Sequence, residues 1–464
     1  MASLMEIDST ESAGSMTTRD YLLDAIDHIG VVEVFSMPSE QLEPLQVKAA
    51  QEFFALRRMQ IPVLDRRARE TGIESIESLD DIVPLLFSHT TYKSYPMSFV
   101  TEGRWDRLLR WFSTLVSTSV EGVDLSRVTD FDGFIAALWA SGNCAVVTNG
   151  TTGKVSLLNR TTSDNDRYRA NVAKTMAWPN PATPEHAHHV FKFMPDGGPY
   201  LMMVASAAQE YWFAKPGSIH ALSDQPLEVA GVVRMAQMRT RIAEGTASPG
   251  EIADFEAEMR GKAERNQARA SEMTDMLIDL RHEPMIIGGP WLQMWNVMLR
   301  ARDRGIGEGE FHPDTIIVCG GGTKNAPIPP DYREQIMAFL GPVRANQAYG
   351  MSEMSWQYPM CEAGNYHICP WIVPLLLDVA GERLMPRQGV QTGRFAFLDL
   401  GFDGRWGGMI TGDKVTIDFT QTCGCGRKGA VMHPEISRFA ALGEEDKIGC
   451  AGTIDGYIKG ALSQ

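Results

Sequence analysis

The segment Val146–Ser156, reading VVTNGTTGKVS, constrains this chain more than any other stretch. An apolar run ends in seven residues, Thr148, Asn149, Gly150, Thr151, Thr152, Gly153 and Lys154, that are almost all hydroxyl or glycine. Glycine lets the backbone turn its N–H groups inward and threonine adds donors, so such a loop can hold phosphate oxygens. It is not a Walker loop: the G-x-x-x-x-G-K-[ST] spacing is absent and Lys154 is followed by Val155. From Phe131 onward, apolar strands and glycine turns alternate with helical pieces, an α/β pattern.

Three more segments follow in order. Ile316–Gly322 is an apolar strand running into Gly320, Gly321 and Gly322. Tyr349-Gly350-Met351-Ser352-Glu353 and Thr411-Gly412-Asp413 come after it. Taken singly, Glu353 is a solvated acid at a helix start, Asp413 a turn former and Tyr349 a core aromatic. As an ordered set they resemble the adenylate-forming enzymes: T-N-G-T-T-G-K is similar to that family's T-S-G-T-T-G-K phosphate loop, Ile316–Gly322 to its strand-then-glycine adenine turn, and the other two to its Y-G-x-[ST]-E and T-G-D. The resemblance runs from about residue 130 to 460. It implies the large α/β domain of that superfamily, with mixed sheets and helices. It also implies activation of an aryl or fatty carboxylic acid by ATP to acyl-AMP, then transfer to a protein Cys, CoA or an amine.

That chemistry requires the triphosphate charge neutralised, the α-phosphorus in line with the carboxylate, and the leaving pyrophosphate held. The resemblance assigns Thr148, Thr151, Thr152 and Lys154 to the phosphates, within the loop that Asn149, Gly150 and Gly153 complete. Glu353 becomes the ligand of Mg²⁺, a hard cation that takes carboxylate and phosphate oxygens. Tyr349, Gly350 and Gly320 to Gly322 would bound the adenine, Asp413 the ribose hydroxyls, and Ser352 the α-phosphate or acyl carboxylate.

A second resemblance narrows the class. Thr422-Cys423-Gly424-Cys425-Gly426-Arg427 is similar to the C-x-C-G-R of the phenylacetate–CoA ligase group, in which a Cys and a His follow the glutamate motif, as Cys361 and His367 do here. It implies a Cys₃His set for structural Zn²⁺, bracing the nucleotide site, with Arg427 among the nucleotide contacts. Cys369 is the rival ligand, and metal-free reduced thiols are the alternative reading.

The expected organisation is a disordered tail or cloning scar over 1–16, a mainly helical region over 17–125, an adenylate-forming core over 126–450 and a hinge-like tail over 451–464. A charged surface helix is expected near 248–281, opened by Ser248-Pro249-Gly250. Tyr200 to Ala207 and Pro284 to Gly289 read as core strands. Phe87 to Pro96, dense in hydroxyls and aromatics, reads as a packed surface loop or a wall of the acyl pocket. Trp291, Met294, Trp295 and Met298 form an apolar stripe at helical spacing, either pocket lining or core.

The ending departs from the acyl–CoA ligase pattern. The mobile C-terminal domain of those enzymes is expected to be absent or vestigial, and Lys459 is the candidate for its catalytic lysine. The tail is similar to that of the acyl-protein synthetases, whose terminal acyl-accepting Cys would align with Ala461. Alanine forms no thioester there, and whether it is native or engineered is open. Cys450 is the other cysteine near the end. A catalytically reduced nucleotide-binding or scaffold subunit needing a partner is therefore the alternative function.

The net charge of -15 disfavours nucleic acid and anionic membrane as partners. No apolar run is long enough to span a bilayer and no signal peptide is apparent. Seven cysteines without a secretory signal fit reduced thiols, so a cytoplasmic location is expected. The expected partners are the acid and CoA or an acyl-acceptor protein, and a homodimer is compatible with the sequence.

Overall fold

The computed structural model describes residues 16–148, 154–321, 327–420 and 422–439. Between residues 18 and 113 the chain is mostly helical. Thr17 caps Thr18–Leu23 by accepting from the Asp20 N–H. The 22-residue helix Ser39–Gln60 follows, then Pro62–Thr71, which opens on a proline and stops at Gly72 in the left-handed region (φ 71°).

A five-stranded parallel sheet runs in the order Ala214–Ser223, His188–Pro195, Met285–Pro290, Ile316–Gly320, Arg344–Ala345. The strand MIIGGP, expected from the sequence, sits inside it, buried as parallel strands are. Alternate residues face two cores. Val190, Ile286 and Ile316 belong to the main core. Phe191, Ile287 and Ile317 belong to a second one with Trp291, Met294 and Met298. The tryptophan–methionine stripe, on helix Trp291–Asp303, is thus core packing.

After His188–Pro195 the chain adds a strand on one side and then crosses to the other. Parallel sheets wound this way open a crevice at the carboxyl ends of the strands flanking the switch. Here those ends are Lys192–Pro195 and Gly288–Pro290.

The second sheet has seven strands. Gly408–Asp418 pairs antiparallel with Val390–Asp399, Val431–Met432 and Ser437–Arg438, and parallel with Phe87–Ser88. Tyr366–His367 and Ile372–Leu377 complete it.

Three expectations change. Tyr200 to Ala207 is not a strand: Leu201–Phe213 is a helix. Leu, Met and Ala dominate it with a single β-branched residue, Val204, and helix propensity decides where a short apolar run alone does not. The charged helix Pro249–Asp279 exists, with Ser248 and Glu251 forming a capping box, but it is not all surface. Its last turns bury Met273, Leu277 and Ile278 in the second core. Phe87 to Pro96 is packed more deeply than a surface loop. Ser88, Thr91, Tyr92 and Tyr95 are buried, and Tyr92 and Tyr95 donate to the carbonyls of Trp406 and Val155 (both 2.9 Å).

The N-terminal helices are tied to this sheet by one carboxylate. Asp403 accepts from Arg19 (2.7 Å), Arg57 (3.1 Å) and Arg167 (3.3 Å), which lie on three different helices. No helix among the described residues is long and apolar enough to cross a membrane.

Candidate active site

Two cavities meet at the sheet crevice. One, of about 380 Å³, is lined by Thr148, Tyr200, Gly350, Met351 and Ser352 among others. The other, of about 480 Å³, lies over the switch point against Met194, Gly288, Val318, Gly320 and Gly321. They share walls at Tyr168, Met202, Ala205, Ala348, Trp356 and Gln357. The sequence-predicted Thr148, Gly350 and Ser352 line the first cavity, and Gly320 and Gly321 line the second.

Thr148 ends the strand Val146–Thr148, which pairs antiparallel with Ser156–Leu158 and is pinned by the Val147 N–H donating to the Pro199 carbonyl (2.7 Å). Asn149, Gly150, Thr151, Thr152, Gly153, Gly322, Cys450, Lys459 and Ala461 lie outside the described residues. Lys154 holds its ammonium 5.1 Å above the Tyr95 ring, a cation–π distance.

Tyr349 and Asp413 come together. The Tyr349 hydroxyl donates to Asp413 Oδ2 (2.9 Å), and Arg438 sits 3.2 Å from Asp413 Oδ1. Burial, then the Asp413 charge, pushes the Tyr349 hydroxyl well above its ordinary pKa, so it remains a donor. Its ring meets Phe395 edge-on at 5.5 Å.

The Glu353 turn is held from two sides. Ser355 donates through N–H (2.5 Å) and Oγ (2.7 Å) to the fully buried Asp399, and Arg405 Nη2 donates to the Glu353 carbonyl (2.7 Å). Burial pushes the Glu353 carboxyl above the usual carboxylate range, and Asp413 adds to this. Its own backbone N–H, Arg405 and Lys93 oppose the shift. Neither Arg405 nor Lys93 is apparent from the sequence. Arg405 is 1% exposed, stacked 3.7 Å over Phe402. Its only sequence signal is an arginine among glycines, Gly404 to Gly408, just ahead of Thr411-Gly412-Asp413.

Cys361, His367, Cys423 and Cys425 converge, with ligand atoms all within 4.8 Å of one another. Cys361 Sγ lies 3.6 Å from Cys423 Sγ, and Cys425 Sγ 3.4 Å from His367 Nε2. Tetrahedral zinc with its usual bond lengths gives S···S edges of about 3.8 Å and S···N edges of about 3.6 Å. His367 Nδ1 is 2.8 Å from the Phe35 carbonyl, a partner that fixes the tautomer and leaves Nε2 as the free lone pair. Burial pushes the His367 pKa down to about 4, so its ring is neutral. Cys369 stands apart from this group, fully buried in the main core. Arg427 is brought to the cluster, paired with both Glu362 oxygens (2.6 and 3.1 Å) and stacked 5.0 Å over Trp178.

The switched parallel sheet beside a mixed sheet is a fold this chain shares with solved acyl-CoA ligases. Among solved structures, 2-hydroxyisobutyryl-CoA ligase is similar. Its open conformation in complex with 2-HIB-AMP and CoA matches at TM-score 0.53 and 14% identity, over 87% of this chain and 75% of that one. Its thioesterification state, with the same ligands, matches at 0.54 and 14%, over 88% and 70%. No protein-family model matches the sequence, and no curated protein does.

Proposed function

We propose that this chain activates a carboxylic acid with ATP and passes the acyl group to a thiol, of CoA or of a protein, or to an amine. One observation carries the reading. Thr148 and Ser352, from two of the ordered motifs, line one cavity that shares walls with a largely apolar one at the sheet switch point, where open α/β sheets bind ligands. The similar ligase, whose structures hold 2-HIB-AMP and CoA, supports it.

In this reading the acid's body enters the larger cavity and its carboxylate meets Ser352. A carboxylate oxygen attacks the α-phosphorus, the bond to the β-phosphate breaks, and pyrophosphate leaves with the electron pair. A thiolate or amine then attacks the acyl carbon and AMP departs. Thr148, Lys154 and the loop between them carry the triphosphate. Asp413, held by Tyr349 and Arg438, accepts from the ribose, and Gly320 to Gly322 border the adenine. Glu353 holds Mg²⁺, which offsets phosphate charge.

The geometry of Cys361, His367, Cys423 and Cys425 fits structural zinc, which ties the segment after Glu353 to the segment after Asp413. Arg427 then acts beside that staple, through Glu362. Acid-dependent ATP–pyrophosphate exchange over aryl and fatty acids tests the activity. Exchange with a subset of acids, abolished by Lys154→Ala and Glu353→Ala, is expected. Exchange unaffected by both substitutions would remove the phosphate and Mg²⁺ roles, and ATP binding without exchange would favour a non-catalytic nucleotide-binding subunit.

A further inference from the structure

The larger cavity has a polar corner that carboxylate activation does not require. Lys192, Gly288 and Val318 stand in register on adjacent strands. They share the sheet face that looks toward the helices Thr162–Thr175 and Leu201–Phe213. The Lys192 side chain is only 4% exposed, and its ammonium bonds to Asp196 (2.5 Å) and to Glu210. Ser206 Oγ donates to the same Glu210 oxygen (3.0 Å). An ammonium has three N–H groups, so one is left without a partner among the described residues.

Gln209 lies on the neighbouring turn of the same helix. It is 9% exposed, lines the cavity, and its amide has no hydrogen-bond partner among the described residues. Gly288 leaves room beside Lys192, since a Cβ there would meet nothing closer than 3.8 Å. The walls around this corner are apolar: Tyr168, Met176, Met194, Met202, Ile286 and Trp356.

Donors and acceptors that face a cavity lose their water when a ligand fills it, so a ligand that satisfies them is favoured over one of equal size that does not. The positive charge is more than offset: Glu210 and the half-exposed Asp196 both face Lys192, so the carboxylate of a ligand would meet a negative corner. We propose that the acid taken by this cavity has an apolar body and an uncharged hydrogen-bonding group, a hydroxyl or carbonyl, at the end remote from its carboxylate, received by Lys192 and Gln209. This rests on the acid-activation reading and names the substrate class within it.

The test compares matched triads of acids in pyrophosphate exchange: phenyl-alkanoates and straight-chain acids, each unsubstituted, terminally hydroxylated and terminally carboxylated. The hydroxylated member of one length should exceed both relatives in kcat/KM by about tenfold or more. Gln209→Leu, similar in size, should raise KM for that acid and bring the ratio to its unsubstituted relative close to one. Lys192→Met is the less suitable variant because it strands Glu210. A preference for the unsubstituted or the dicarboxylic acid, or a ratio unchanged in a folded Gln209→Leu protein, would overturn the proposal. If no acid supports exchange, the activation reading fails by itself. Equilibrium binding of the triads then decides the corner: tighter binding of the hydroxy acid supports it, and equal binding overturns it.

Discussion

At the scale of the residue, Glu353 is where burial and chemistry meet most directly. Its carboxyl is pushed above the usual carboxylate range by burial, yet the proposed role needs the anion. The ligating form is therefore lost, as pH falls, at a higher pH than an ordinary glutamate of pKa about 4.3 would show. A pH–rate profile of pyrophosphate exchange should fall on the acid side through a midpoint above that value. Raising Mg²⁺ should move the midpoint down, since metal and proton compete for the same oxygens. Glu353→Gln should cost about 100-fold or more in kcat. A midpoint insensitive to Mg²⁺ would separate Glu353 from the metal. Arg405 supports this residue through the backbone, and the sequence gives little notice of it. A buried arginine bonded to a carbonyl 52 residues upstream leaves no local pattern.

At the scale of the element, two ties hold segments distant in sequence. Asp403 joins helices beginning near residues 18, 39 and 162 to the loop after Val390–Asp399. Burial works against its anion, but Arg19, Arg167 and Arg57 together outweigh that and hold its pKa below the usual value. A depressed carboxylate stabilises the fold fully above its unfolded pKa of about 3.9, and that share is lost as pH falls through the lower folded value. Asp403→Asn should lower unfolding free energy by roughly 3 kcal/mol at neutral pH, because Arg57 is left buried with its charge uncompensated. The gap to the parent should narrow below about pH 4. Denaturant melts at both pH values check this, and equal gaps would contradict it.

The second tie is the cysteine–histidine cluster. Purified protein should carry about one equivalent of zinc. Chelation or Cys423→Ser should lower the melting temperature and weaken ATP binding together, because the staple braces both Tyr349–Glu353 and Asp413. Less than about a tenth of an equivalent, with no change in melting, would leave the four side chains as reduced thiols and an imidazole.

At the scale of the whole molecule, the order of motifs made the α/β class and the crevice legible. Thr148, Gly320 and Tyr349 end strands, as the motifs suggest, whereas Thr411-Gly412-Asp413 lies inside the strand Gly408–Asp418. The cysteine set was legible because its residue types are scarce. Less visible were features made by long-range packing. Tyr200 to Ala207 reads as a strand because a short apolar run carries no period of its own, yet Leu201–Phe213 is a helix. The spacing of Trp291, Met294, Trp295 and Met298 is compatible with core and pocket alike, and it is the shared core with Phe339 and Met273, from other helices, that decides between them. Nothing in the sequence singles out Lys192 or Gln209, and only the cavity between sheet and helix brings them together. The Asp403 tie spans 384 residues to Arg19 and 236 to Arg167, beyond any sequence window.

The central claim is that a carboxylate oxygen bonds to the α-phosphorus of ATP. The most direct test uses an accepted acid labelled with oxygen-18 in its carboxylate, turned over with ATP and a thiol acceptor, with the nucleotide product analysed by mass spectrometry. The account predicts AMP carrying one labelled oxygen, together with pyrophosphate. Unlabelled AMP, or ADP with phosphate as the products, would contradict it.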